Sequence, residues 1–138
     1  MLKTTLIHPQ ILSALGRSGH GSRVLIADGN YPFATRSPSE AEIVYLNLKP
    51  GTVDVTTVLE TLVPVITVES ASIMKPRDDQ VPPIFADFER ILAEGTPIEQ
   101  LERYAFYEKA GEPHTSLVIA TGETLRFANI LLTIGVVT

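Results

Sequence analysis

A histidine flanked by glycines precedes a short apolar run, and an aspartate follows that run. His20 lies between Gly19 and Gly21, residues 24–27 are apolar, and Asp28 comes next. Imidazole exchanges protons near neutral pH, so this histidine and the carboxylate have the chemistry of general acid–base catalysis. Glycine lacks side-chain bulk, which favours close approach of the imidazole to a ligand. From residue types alone, a structural or solvent-exposed histidine is the commoner alternative.

The apolar run predicts how Asp28 is positioned. Residues 24–27 are too few for a typical helix and are β-branched enough for a buried strand. Asp28 then stands at the carboxyl end of that strand, where open α/β sheets form their ligand crevices. The same residue suits a plain turn, since Gly29 and Asn30 follow it. A place in the turn and a role in ligand binding are compatible.

Helical and extended patterns alternate along the rest of the chain. Apolar spacing predicts helices at 10–17, about 54–63 and 82–92, and strands at 24–27, 42–48, 65–69, 115–121 and 127–137. Gly95 is expected to end the third helix as its C′ residue. Pro97 is expected to open a further helix containing Leu101, which residues 103–110 either continue or follow as a separate turn. The pattern predicts a single α/β domain over residues 1–138 with three layers, one sheet with helices on both faces.

Composition narrows the classes of partner. The chain has 11 basic and 16 acidic residues, a formal charge of −5 and no basic block along the sequence. This balance argues against nucleic acid or an anionic membrane as the partner. No apolar run approaches the roughly 18 residues of a membrane span, and the first residues lack the apolar core of a signal peptide. The chain has no cysteine, which suits a cytoplasmic location.

Motifs for cofactors and metals are missing from the sequence. No glycine-rich phosphate-binding motif occurs, and the three histidines are scattered without carboxylates at metal-ligand spacing. Neither a cofactor nor a metal ion is therefore expected.

Short segments of the chain resemble, in order, the L-fucose mutarotase and D-ribose pyranase family. They are Met-Leu-Lys at 1–3, Gly-His-Gly at 19–21, Ala-Asp-Gly-Asn-Tyr-Pro at 27–32, Arg-Tyr-Ala-Phe-Tyr-Glu-Lys-Ala at 103–110, Thr-Gly-Glu at 121–123, Phe-Ala-Asn-Ile-Leu-Leu at 127–132 and Gly-Val at 135–136. The similarity covers nearly the whole chain. The segment at 103–110 is closer to the fucose mutarotase branch than to the ribose pyranase branch.

The resemblance implies a cofactor-independent isomerase that interconverts the anomers of a free monosaccharide, with L-fucose or a related sugar as the substrate. It implies that His20 is the catalytic proton donor. It also implies that the sugar is bound by Asp28, Arg103, Phe127, Ala128 and Asn129. A D-ribose pyranase and a non-catalytic monosaccharide-binding protein are the alternatives. The family further implies a homo-oligomer with sites near subunit contacts. A decamer is the leading expectation for the oligomeric state.

Two positions qualify this picture. Family members show a tyrosine where this chain has Phe127, so a phenolic hydroxyl is missing from the implied site. Arg103 stands near Glu99, Glu102 and Glu108, a pattern that outside the family indicates a solvated surface charge. Tyr107, one helical turn after Arg103, is expected to share its face, either as a wall for the sugar or in packing.

Overall fold

A six-stranded sheet forms the centre of the molecule, and four α-helices pack on it. A computed structural model describes all 138 residues. The helices are α1 (Pro9–Gly16), α2 (Val55–Leu62), α3 (Ile84–Ile91) and α4 (Arg103–Ala110). The strands are β1 (Arg23–Ala27), β2 (Glu42–Tyr45), β3 (Val68–Met74), β4 (Ile98–Leu101), β5 (Thr115–Ala120) and β6 (Ile130–Ile134). No helix has the length and apolar character that crossing a membrane requires.

Strand order brings distant segments of the chain to one edge of the sheet. The order is β2-β5-β1-β6-β3-β4, and β6 runs antiparallel to both of its neighbours while the other pairings are parallel. The carboxyl ends of five strands and the start of β6 therefore share one edge, here called the carboxyl edge. The opposite side is called the amino edge.

Helices cover both faces of the sheet, so the predicted three-layer α/β arrangement is confirmed. Helices α1, α2 and α3 bury their apolar sides on one face, in a core of 22 buried residues that includes Leu59, Phe88 and Ile119. Helix α4 covers the other face through Phe106 and Ala110, in a smaller core of eight buried residues. Alternation along the strands divides the two cores, because successive side chains point to opposite faces.

Capping residues explain where two of the helices begin. The Asp54 carboxylate accepts a hydrogen bond from the Thr57 backbone N–H at 2.9 Å, and this contact lowers the pKa of Asp54. Glu102 accepts from the Ala105 N–H at 3.1 Å and begins α4. Side chains of this kind satisfy backbone donors that the first helical turn leaves free. The first three predicted helices are confirmed, with Asp54 as the cap of the second.

The helix predicted to open at Pro97 is wrong. Residues Ile98–Leu101 form strand β4, which pairs with β3 in parallel register at the sheet edge. The Pro97 carbonyl already accepts the Ala71 N–H at 2.9 Å, so strand pairing begins there. Residues 103–110 form a helix of their own. Four residues carry too little periodicity to distinguish a strand from a helical turn, and the β3 edge decides the outcome.

Four predicted boundaries are also corrected. The second strand ends at Tyr45 rather than at residue 48. The third strand begins at Val68 and extends to Met74, because Val63–Val65 form a 3-10 turn after α2. Helix α3 is capped at Leu92, so Gly95, with φ of 82°, lies beyond its C′ position. The last strand is Ile130–Ile134 rather than 127–137. Phe127 has φ of 60°, a left-handed conformation that interrupts an extended strand.

Candidate active site

A cleft of about 300 Å³ opens at the carboxyl edge, and four of the predicted site residues line it. Asp28 follows β1, Arg103 begins α4, and Phe127 and Asn129 precede β6. The other lining residues are Asn30, Tyr31, Met74, Tyr107 and Arg126. Its size falls at the lower end of the range for small-molecule sites.

Asp28 and Asn129 form a buried polar pair at the base of this cleft. The Asp28 backbone N–H donates to Asn129 Oδ1 at 2.8 Å, and Asn129 Nδ2 donates to Asp28 Oδ2 at 3.0 Å. Both side chains are almost completely buried, with exposures of 4% and 3%. Burial raises the pKa of the Asp28 carboxyl, while the Asn30 N–H and the Asn129 amide oppose the rise. The pair offers the hydroxyl group of a ligand a fixed acceptor in a poorly hydrated place.

The turn before β6 separates Phe127 from Ala128. The left-handed conformation of Phe127 leaves its ring half-buried on the cleft, next to the smaller core. Ala128 is fully buried in the larger core, and its side chain does not line the cleft. Its backbone lies beside the Asp28 carboxyl and opposes the rise in the pKa of that carboxyl. The structure thus joins Phe127 and Asn129 at the cleft and places the Ala128 methyl behind it.

Two tyrosines form an aromatic wall, of which the sequence had suggested Tyr107, as a wall or in packing, but not Tyr31. The rings of Tyr31 and Tyr107 meet edge to face, with centroids 5.4 Å apart. The Arg36 guanidinium lies 5.3 Å from the Tyr107 ring centroid, and the Tyr31 hydroxyl donates to the Arg36 carbonyl at 3.4 Å. Burial raises the pKa of the Tyr31 hydroxyl, so it stays a neutral donor. Rings of this kind suit the C–H face of a sugar.

Glu123 holds the turn that leads to Phe127, the phenylalanine that lines the cleft. This buried carboxylate accepts backbone N–H groups from Val55 at 3.3 Å and from Thr124 and Leu125 at 3.0 Å each. Its own carbonyl accepts the Gly29 N–H at 2.9 Å, next to Asp28. The sequence pointed to Glu123 only through the Thr-Gly-Glu segment at 121–123 that resembles the family. The buried carboxylate accepts from Val55 because the fold brings together two segments that are distant in the sequence.

His20 lies at the amino edge, away from the cleft. Its Nε2 is 3.0 Å from Glu69 Oε1, and both side chains are about half exposed. Gly21, with φ of 84°, takes a left-handed turn there, and its N–H donates to the Ile134 carbonyl at 2.9 Å. At about 3.3 Å per strand residue, β1 separates His20 from Asp28 by roughly 16 Å or more. Within one chain, these two residues therefore lie at opposite ends of β1, and His20 does not line the cleft.

No group of three or more histidine, cysteine, aspartate or glutamate side chains is arranged to hold a metal ion. The cleft offers carboxylate and amide oxygens, guanidinium groups and aromatic rings, which are ligands for a polyhydroxylated neutral molecule.

Proteins similar to this chain in sequence and in fold are known. A model of the RbsD / FucU transport protein family matches residues 1–137. The mouse fucose mutarotase is 33% identical over 143 residues, covering 94% of this chain and 90% of its own. The crystal structure of a Streptococcus pneumoniae fucose mutarotase in complex with L-fucose superimposes with a TM-score of 0.85, at 26% identity and full coverage of both chains. The structure of Bacillus subtilis RbsD complexed with D-ribose superimposes with a TM-score of 0.86, at 25% identity and full coverage of both chains.

Proposed function

The chain belongs to the RbsD / FucU family, and on that premise we propose that it is a sugar mutarotase acting on L-fucose or a closely related monosaccharide. Relatives named fucose mutarotase support the reaction, and a fucose complex among the similar structures supports the sugar. The observation that carries the proposal is the cleft at the carboxyl edge. It combines a buried Asp28–Asn129 pair with an aromatic wall and two guanidinium groups.

The reaction needs two proton transfers and no electron transfer. A base removes the proton of the anomeric hydroxyl, the bond between the anomeric carbon and the ring oxygen breaks, and an acid protonates that oxygen. Rotation about the next carbon–carbon bond and reversal of both transfers give the other anomer. General acid–base groups typically contribute about 10²- to 10⁴-fold to such a step.

Sugar binding falls to the residues of the cleft. Asp28 Oδ2 accepts hydrogen bonds from the hydroxyl groups of the sugar, and the Asn129 amide N–H donates to them. Arg103 donates from the rim of the cleft. Phe127, Tyr31 and Tyr107 pack against the apolar face of the ring. The half-buried ring of Phe127 has no hydroxyl, so it favours a sugar whose methyl group or hydrogen faces it.

His20 serves as the proton donor, with Glu69 as its partner. When the Nε2–H donates to the Glu69 carboxylate, Nδ1 is left to exchange a proton with the sugar. The same contact orients the imidazole ring toward the sugar.

The distance between His20 and Asp28 supports a site completed by a second copy of the chain. The amino edge of one copy then meets the carboxyl edge of the next, in a heterologous contact that closes into a ring. A homo-oligomer, with a decamer as the leading assignment, is the corresponding state of assembly. The cytoplasm stays the predicted compartment, on the absence of cysteine alone.

Exchange NMR of the anomeric signals tests the activity. Saturation of one anomer of L-fucose is expected to transfer to the other faster when the protein is added. His20→Ala should lose most of this exchange while keeping its circular dichroism, because the exposed ring contributes little to the core. Broadening of both signals without exchange indicates a binding protein. Faster exchange for D-ribose than for L-fucose, including its furanose forms, indicates a pyranase.

Mixing two inactive variants tests the shared site. His20→Ala and Asp28→Asn are each expected to be inactive, since each lacks one half of the machinery. Random co-assembly at equal amounts should restore about a quarter of the wild-type exchange, because one site in four then takes both intact residues. A mixture as inactive as its components would mean that the two residues do not act in one site.

A further inference from the structure

A second, larger cleft adjoins the sugar site and concentrates positive charge. Its volume is about 800 Å³, and it shares Arg103, Arg126 and Phe127 with the sugar cleft. Two further cations, Lys75 and Arg77, line it from the loop after β3. Four exposed cations from three separate segments thus face one concave surface. A free monosaccharide fills the smaller cleft and does not need this one.

These four cations have no carboxylate partners. Of the eleven basic residues, Arg17, Arg23, Arg90 and Lys109 form ion pairs with Asp or Glu, and none of the four in the cleft does so. Asp78 is the carboxylate that lines the cleft, and its Oδ1 accepts the backbone N–H of Gln80 at 3.2 Å instead. The nearby Glu102 caps α4. In a chain of net charge −5, such a patch attracts an anion from solution.

We propose that the cationic cleft binds the phosphate group of a phosphorylated aldose whose ring occupies the sugar cleft, so that the substrate range extends to sugar phosphates. The inference rests on the proposed function. The shared residues Arg103 and Arg126 are the reason for a single ligand across both clefts, since they contact its ring and its phosphate from one position. Guanidinium groups match phosphate oxygens in charge and shape. L-Fucose ends in a methyl group, so it leaves this cleft empty.

A matched pair of sugars tests the proposal. Binding and anomer exchange are measured by ligand-observed NMR for D-galactose, D-galactose 6-phosphate and inorganic phosphate. The phosphorylated sugar is expected to bind more tightly than the neutral one, and the difference should shrink as salt is added. Equal affinity for the two sugars overturns the proposal. Inorganic phosphate binding as tightly as the sugar phosphate also overturns it, since the cleft would then be a site for free phosphate.

The double variant Lys75→Gln/Arg77→Gln isolates the phosphate contacts from the sugar contacts. It should weaken the binding of D-galactose 6-phosphate by roughly 2- to 30-fold and leave the binding of D-galactose unchanged. The control Lys3→Gln/Lys49→Gln removes two unpaired cations outside the cationic cleft and should change neither. Sedimentation velocity on the same variants separates a subunit contact from a ligand site. A change of assembly with no selective loss of the phosphorylated sugar overturns the proposal.

The two hypotheses fail in different ways. If L-fucose does not exchange its anomers faster with protein, the mutarotase assignment fails, while selective binding of D-galactose 6-phosphate over D-galactose is still measured. If D-galactose exchanges and its 6-phosphate gains no affinity, the mutarotase assignment stands and the phosphate cleft does not.

Discussion

Asp28 and Asn129, 101 positions apart in the chain, exchange two hydrogen bonds at the base of the cleft. One runs from the Asp28 backbone to the Asn129 side chain, and the other runs between the two side chains. The pair joins the end of β1 to the start of β6, which are neighbouring strands. The carboxylate that we propose as a sugar ligand, Asp28, is therefore held by the contact that joins these two strands.

Burial of Asp28 makes the free energy of unfolding depend on pH. Its pKa is raised above 3.8, so the folded state holds the proton more tightly than the unfolded chain does. The stabilisation is complete below the unfolded pKa and is lost as the pH rises through the higher folded value. Urea unfolding from about pH 3.5 to about pH 7 should show this decline in the wild type relative to Asp28→Asn. Wild-type stability that rises with pH relative to the variant contradicts the raised pKa.

Replacement of Glu123 should loosen the turn that carries Phe127. Glu123→Gln keeps one acceptor oxygen for Thr124 and Leu125 but presents an amide donor near the Val55 N–H. The expected cost is about 1.5–3 kcal/mol, because bonds to a charged group are lost in a buried place. Denaturant unfolding measures it. Glu108→Gln, at an exposed position of α4, is the control and should change stability by less than about 0.5 kcal/mol.

Phe127→Tyr should change sugar preference and leave the reaction intact. The new hydroxyl adds a hydrogen bond worth about 0.5–1.5 kcal/mol, or roughly two- to thirteen-fold in affinity or rate. Exchange NMR with L-fucose, D-galactose and D-ribose should therefore rank the sugars differently from the wild type. Phe33→Tyr, which adds the same group outside the cleft, should keep the wild-type order. An unchanged order for both variants would mean that the ring at 127 does not touch the sugar.

Gly122→Ala should destabilise the fold where the loop after β2 packs against the turn that follows β5. A Cβ at Gly122 would collide with the backbone carbonyl oxygens of Lys49 and Thr52, which cannot rotate away as a side chain does. Overpacking of this kind costs about 1–3 kcal/mol. Gly19→Ala is the matched control, because a Cβ there meets no atom within 4 Å. Thermal unfolding that ranks the two variants equally would contradict this packing.

Local chemistry accounts for the elements that the sequence predicted. The apolar spacing of α2, its Asp54 cap and the β-branched run of β1 each depend on neighbours within one or two turns of chain. Asp28 was predicted at the carboxyl edge because it follows such a strand directly. Arg103, Phe127 and Asn129 were named by resemblance to a family, and the fold brings all three to the same cleft.

Tertiary structure alone decided the rest. Residues Ile98–Leu101 form a strand because β3 has a free edge, and His20 lies far from Asp28 because β1 runs straight between them. Four cations that form no block along the chain meet in one cleft. Strand order sets these outcomes, and it depends on which buried faces pack together across more than a hundred residues. Local residue patterns do not predict the strand order, because it depends on apolar surface buried between segments that are distant in the sequence.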